Sequence, residues 1–317
     1  MAAALALASR GAGRTTPNPN VGCILVKAGQ VVGRGWTQPG GRPHAEAMAL
    51  EQAGSAAHGA TAYVTLEPCA HVSARGPACA DSLIAAGVAR VVAALTDPDP
   101  RTAGAAFARL RGTDIAVTTG VGSDPARTMI APWLSRLTRA RPFVTLKLAV
   151  SLDGMIARAD GQSRWITGAR ARAHAHLERA RHDAILVGRG TFDADAPQLD
   201  VRLAGLAARN PQRLLLTSGA APAGWTACAS VAATDILPGV DSILVEGGAQ
   251  TAAAFVRAGR VDRLLLYRAP ILIGGGRGAL ADIGLTDLAD AHGRWRLTDS
   301  RMLGSDWMGV YDAGRKD

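Results

Sequence analysis

The chain has 317 residues, 48% hydrophobic and 19% charged, a balance that excludes a disordered protein and leaves room for two cores at roughly 100 to 200 residues per domain. Its +9 net charge is spread along the chain and aromatics are only 4%, too few for base-stacking platforms, so a phosphorylated small molecule is expected as partner in place of a nucleic acid. Four cysteines (Cys23, Cys69, Cys79, Cys228) are too few for a disulfide framework and point to a reducing, cytoplasmic setting, and no segment reads as a membrane span.

The apolar opening, interrupted at Gly11, reads as a first helix. Val21 to Lys27 and Gln30 to Gly35 read as strands joined at Ala28-Gly29. A helix is expected over 44–53, with Pro43 near its start and Gly54 past its end. A strand over 62–66, a helix over 79–86 closed by Gly87 and a strand over 88–95 follow. This alternation implies an α/β layer. One long helix is predicted from Ser123 to about Thr138, with Pro125 inside its start. The basic segment ending in Pro142 then marks a domain boundary, giving domains 1–141 and 142–317. Strands at 143–150, 184–187, 213–217, 242–245 and 263–267 predict a second α/β domain.

The densest chemistry is Pro43-His44-Ala45-Glu46, followed by Glu67-Pro68-Cys69 and then Cys79. Zinc prefers thiolate and imidazole, and three protein ligands (His44, Cys69, Cys79) leave a fourth position for water, as a catalytic site requires. Hydrolytic loss of ammonia also needs a carboxylate that is beside the metal but not bound to it, and Glu46 fits that role. H-x-E followed by P-C-x-x-C is the signature of zinc nucleobase deaminases. Here nine residues separate the cysteines where the pattern has two, and this loop carries His71 and Arg75. A closed structural zinc site using His71 or His58, or cysteines that are merely buried small residues, are the alternatives. Cys23, in an apolar strand, reads as core.

The second half contains no G-x-G-x-x-G fingerprint. Strand 242–245 ends in Glu246-Gly247-Gly248 and a helix follows over 249–257. This turn reads either as a tight left-handed connection or as a phosphate site built on helix-start N–H groups.

Thr16-Pro17-Asn18-Pro19-Asn20-Val21-Gly22, His44-Ala45-Glu46, the 66–71 segment LEPCAH and Asp97-Pro98-Asp99-Pro100 together resemble the deaminase half of the bifunctional riboflavin-biosynthesis deaminase/reductase family. LKLAVSLDG (146–154), GQSRWITG (161–168), VGRGTFDADAPQLDVR (187–202) and VEGG (245–248) resemble its reductase half. The resemblance implies a cytidine-deaminase-like α/β/α domain followed by a dihydrofolate-reductase-like α/β domain. It also implies two activities: zinc-dependent deamination of a diaminopyrimidinone ribosylamine phosphate, then NADPH-dependent reduction of the ribosyl chain. Asn18 would contact the pyrimidine, with His71, Arg75 and Asp97 around the substrate. In the second half Ser163, Arg179, Leu199, Arg202 and Glu246 would contact substrate. Ala149, Trp165, Thr191, Asp195, Ser218 and the turn Gly248, Ala249, Gln250, Thr251, Ala252 would contact NADPH. Arg75, Arg179 and Arg202 suit phosphate, since guanidinium forks match its oxygens. The chain departs from the family at Asp99, Ala106 and Ala196, and in a Cys69-to-Cys79 loop one residue longer than usual.

A homo-oligomer is expected. Two rival functions remain at this level. An RNA-acting zinc deaminase with an accessory domain would bind tRNA with steep salt dependence. A non-catalytic zinc-stabilised module would unfold on chelation without ever having had activity.

Overall fold

The computed structural model describes residues 1–71 and 76–314, so Arg75 lies outside the described residues. Two compact units divide the chain, Met1–Arg139 and Ala140–Asp317.

The first unit runs α1 (Ala2–Ala8), β1 (Gly22–Lys27), β2 (Gln30–Trp36), α2 (Ala45–Ala53), β3 (Thr61–Val64) and α3 (Cys79–Ala85). It continues with β4 (Arg90–Ala93), α4 (Ala105–Arg111), β5 (Ala116–Thr119), α5 (Ser123–Met129) and α6 (Ala131–Arg139). The sheet order is β2-β1-β3-β4-β5. β1 runs antiparallel to β2 and β3, while β3, β4 and β5 are parallel. Lys27 pairs with Gln30 across a two-residue turn whose residues, Ala28 and Gly29, both have positive φ, the geometry that matches strand twist in a tight hairpin. Leu25, Val64, Leu83, Val91, Phe107 and Leu110 fill the core against the helices.

The single helix expected over 123–138 is two helices that meet at Ile130, where φ −98° and ψ 12° leave the helical region. Pro132 accounts for the break. It has no N–H to return to the carbonyl of Thr128, and its ring crowds the preceding turn.

The second unit runs β6 (Phe143–Val150), β7 (Met155–Ala157), α7 (Ala169–Arg179), β8 (Ala184–Gly188), α8 (Arg189–Asp195) and β9 (Gln212–Leu216). β10 (Thr226–Cys228), β11 (Ser242–Val245), α9 (Ala249–Arg257), β12 (Arg263–Arg268), β13 (Arg277–Gly278), β14 (Trp295–Leu303) and β15 (Asp306–Ala313) complete it. The main sheet order is β10-β9-β8-β11-β6-β12-β15-β14. The first six of these strands are mutually parallel, β15 runs antiparallel to β12, and β14 runs antiparallel to β15. Every residue of β8 and β11 is buried, as a parallel sheet covered on both faces requires. The carboxyl ends of β6, β8, β9, β11 and β12 share one edge of the sheet, where open α/β sheets bind ligands.

At the entry to β6, Arg141 donates to both carboxylate oxygens of Asp262, 2.7 and 2.8 Å away, and Asp262 also accepts the Val144 N–H. The two units divide after Arg139, which keeps this pair within the second.

Candidate functional site

In the first unit, His44 is the N-cap of α2, Cys79 opens α3 and Cys69 lies in the turn after β3. Their ligand atoms lie within 4.8 Å of one another. His44 Nδ1 is 3.3 Å from Cys79 Sγ and 3.6 Å from Cys69 Sγ. A tetrahedral zinc with ordinary Zn–N and Zn–S bonds has an N···S edge of about 3.6 Å, so the donor set fits the ion in both type and spacing. The Cys79 thiol, His44 and the Cys79 backbone N–H hold the Cys69 thiol down at about 4 against its burial, and the backbone contact is 3.2 Å long.

Glu46, the second residue of α2, is 3% exposed and its side chain meets Cys79. Burial pushes its carboxyl up, which suits a group that must hold a proton during the reaction. Asn18 Nδ2 lies 3.0 Å from His44 Nε2 and donates to the Gly41 carbonyl, 3.1 Å away. His71 Nδ1 is buried with no hydrogen-bond partner among the described residues.

Sequence reasoning gave Glu67 no role, yet it organises this region. Its carboxylate is 3% exposed and accepts four backbone N–H groups, from Asp97 (3.1 Å), Gly104 (2.9 Å), Ala106 (3.1 Å) and Phe107 (3.3 Å). It thereby ties the turn that carries Cys69 to the loop of Asp97 and the start of α4. Asp97 is itself buried, which pushes its carboxyl up to about 6 against a hydrogen bond from the Asp99 N–H. A polar residue two positions before a metal-binding cysteine was the available signal. Its many N–H partners come from a segment some thirty to forty positions later, which spacing alone does not reveal.

In the second unit Ala149, Glu246 and Ser218 lie at or just past the carboxyl ends of β6, β11 and β9. Lys147 comes from β6 and Glu246 from the end of β11, and these strands are neighbours in the sheet. Lys147 Nζ is 3.7 Å from Glu246, another contact that sequence reasoning missed. Arg179 and Arg202, expected as phosphate clamps, are both paired with carboxylates. Arg179 binds Glu246 with two nitrogens, and Arg202 binds Asp200 2.9 Å away in an exposed pair.

Thr191 Oγ1 accepts the Gly248 N–H at 3.1 Å, placing α8 beside the turn that opens α9. Gly247 is required there, since a Cβ at that position would fall 2.5 Å from Thr251 Cβ. Gln250 is exposed, Ala249 is half-buried, and Thr251 and Ala252 pack inward. Ala149 is half-buried on β6, and Ser163 is half-buried in the loop before α7. Trp165 is 66% exposed, with the Arg172 guanidinium 4.7 Å from its ring centre. Asp195 is exposed and meets Arg164 at 3.4 Å, and Ser218 is exposed after β9. Leu199 buries its side chain among Ile185, Val187 and Leu215, so only its backbone, with φ 54°, is available to a substrate.

Residues 1–95 match the cytidine and deoxycytidylate deaminase zinc-binding region, and residues 142–226 and 237–308 match the RibD C-terminal domain. The chain is 40% identical to the riboflavin biosynthesis protein RibD of Escherichia coli over 355 aligned residues, covering 96% of each. It is 35% identical to the protein of the same name from Aquifex aeolicus, covering 92% of this chain and 91% of that one. A Thermotoga maritima structure described as a diaminohydroxyphosphoribosylaminopyrimidine deaminase/5-amino-6-(5-phosphoribosylamino)uracil reductase is 30% identical, with a TM-score of 0.87 over 99% of this chain and 97% of that one. Acinetobacter baumannii RibD is 35% identical with a TM-score of 0.83, covering 98% of this chain and 97% of that one. With family matches in both units and whole-length relatives of one kind, the chain belongs to the RibD family, the bifunctional zinc deaminases and NADPH reductases of riboflavin biosynthesis.

Proposed function

We propose that residues 1–141 deaminate a diaminopyrimidinone ribosylamine phosphate and that residues 142–317 then reduce the ribosyl chain of the product. The observation that carries this reading is the His44, Cys69, Cys79 cluster with the Glu46 carboxyl against it. His44, Cys69 and Cys79 hold the zinc, and zinc, when bound, makes water nucleophilic near neutral pH. Glu46 takes the proton of the attacking water on a carboxylate oxygen and returns it to the departing ammonia. Its burial keeps bulk water from competing for that proton. Asn18 fixes the imidazole of His44 and lies within reach of the ring of the substrate. The unpartnered His71 Nδ1 offers a polar contact to the substrate, as do Asp97 and, by family resemblance, Arg75.

In the second half NADPH supplies the hydride. The turn Gly248, Ala249, Gln250, Thr251, Ala252 with Thr191 would hold it, and Ala149, Trp165, Asp195 and Ser218 would complete its site. Glu246, oriented by Arg179 and Lys147, meets the ribosyl chain, with Ser163 and the Leu199 backbone beside it. Arg202, exposed with Asp200, is the residue able to turn to the substrate phosphate.

Among the described residues no helix is long and apolar enough to cross a membrane. Four free cysteines support a reducing cytoplasm, and the small-molecule chemistry supports a protein without a nucleic-acid partner. A homo-oligomeric state completes the reading, and light scattering measures it.

The test is to give the purified protein the diaminopyrimidinone phosphate with and without NADPH, and to compare wild type with Glu46→Gln. Ammonia release vanishes in the variant while reduction of supplied deaminated substrate survives. Loss of both activities in a folded variant refutes separate sites.

A further inference from the structure

Trp165 combines an exposed ring with a fixed backbone. The indole is 66% exposed, yet the loop that carries it is pinned on both sides. Before it, Arg164 donates to the Asp195 carbonyl at 3.2 Å. After it, Arg172 Nη1 donates to the Thr167 carbonyl at 2.6 Å, and the Gly168 N–H donates to the buried carboxylate of Asp306, also at 2.6 Å.

Arg172 reaches the ring as well as the backbone. Its guanidinium carbon lies 4.7 Å from the indole centre, closer than the 6.0 Å of the adjacent Arg164. At that distance a guanidinium is attracted by the ring quadrupole. One side chain therefore fixes both the loop and the orientation of the indole it carries, and the rest of the ring stays open to solvent.

Helix stability does not account for an arginine at this position. Arg172 lies at the start of α7, where its own N–H returns to the Gly168 carbonyl at 3.1 Å. Arg170 precedes it, and the first turn holds no acidic residue. A cation at the positive end of a helix dipole costs stability. Local rules are broken most often where a site gains by it, and here the gain is in the loop that precedes the helix.

We propose that Arg172 is a positioning residue of the reductase, holding the indole of Trp165 so that its open surface takes a flat heterocycle of the nicotinamide dinucleotide. The inference rests on the placement of Trp165 at NADPH given above and goes beyond it in naming the residue through which that ring is set.

The experiment is a double-mutant cycle on the full chain, with Kd for NADPH read by fluorescence titration in wild type, Arg172→Met, Trp165→Ala and the double variant. Urea unfolding and ammonia release check that each protein is folded. Trp165→Ala is expected to weaken binding about 10- to 100-fold, the range of a lost ring stack. Arg172→Met is expected to weaken it about 3- to 10-fold when Trp165 is present and by under about 2-fold when Trp165 is alanine, because the two act as one unit. Arg172→Lys, which keeps a cation but loses the planar fork, falls between wild type and methionine, and it carries the same cycle should the methionine variant fail to fold. Equal weakening in both backgrounds makes Arg172 a direct contact or a scaffold residue and overturns the proposal, as does unchanged affinity in Arg172→Met. Unchanged affinity in Trp165→Ala overturns the placement of Trp165 and the proposal with it, and failure of wild type to bind NADPH overturns the reductase reading itself.

Discussion

Arg179 holds Glu246 through two parallel contacts, Nε to Oε1 at 2.8 Å and Nη2 to Oε2 at 2.9 Å, while its Nη1 donates to the Asp200 carbonyl at 3.1 Å. All three nitrogens are engaged, and both side chains are largely buried, 16% and 8% exposed. The work of Arg179 is to keep a carboxylate charged and oriented at the edge of the sheet. Arg179→Met leaves that carboxylate buried with Lys147 alone, so the second unit is expected to lose about 3 to 5 kcal/mol and its reductase activity, with ammonia release retained. Urea unfolding and the two activity assays measure this, and an unchanged unfolding midpoint refutes it.

Burial would raise the Glu246 carboxyl, but Lys147 and Arg179 outweigh it and hold it at about 2, below the ordinary 4.5. Because the folded value is the lower one, the stabilisation is fully present above pH 4.5 and is lost as pH falls through the window down to about 2. The shift corresponds to about 3 kcal/mol at most. Glu246→Gln is expected to flatten the fall in stability of the second unit across that window. Equal slopes for wild type and variant in a series of urea unfolding curves would count against the ion pair as its source.

Glu67 satisfies four backbone N–H groups at once. Removing the acceptor strands buried donors that cost about 1 to 3 kcal/mol each when unmet, less where water enters. Glu67→Ala should therefore lower the stability of the first unit by several kcal/mol and displace the Asp97 loop. Glu67→Gln, whose amide nitrogen cannot accept, should fall between wild type and alanine. Thermal unfolding gives the order, and any other ranking removes Glu67 from this role.

Asn18 sits on the far side of the His44 ring from the two sulfurs, against Nε2. Groups in that position fix the orientation of a metal-binding imidazole, and losing one typically weakens metal affinity about 10- to 100-fold. Asn18→Ala should lose zinc to a competing chelator at correspondingly lower chelator concentration. If zinc affinity is unchanged and only the substrate KM rises, Asn18 serves the pyrimidine alone.

The zinc-binding residues were legible because their chemistry is local: His44 and Cys79 sit at helix starts, and His44 and Cys69 each directly follow a proline. The parallel strands of the second unit were legible from short apolar runs such as Ser242 to Val245, all of which is buried. β14 is hard to read because it is an edge strand whose residues are mostly exposed and whose apolar alternation, Trp295-Arg296-Leu297-Thr298, stops at Asp299. The break at Ile130 is set by Pro132, whereas Pro125 lies in the first turn of α5, where proline is tolerated. The pairing of Arg179 with Glu246 spans 67 positions and joins the end of α7 to the residue after β11, so only the folded chain reveals it.

The clasp between Arg141 and Asp262 decides where the polypeptide can be cut. A freestanding reductase that starts at Ala140 carries its own cation for Asp262. One trimmed to Phe143 would lose the Arg141 guanidinium from the very residue that also anchors the first strand through the Val144 amide.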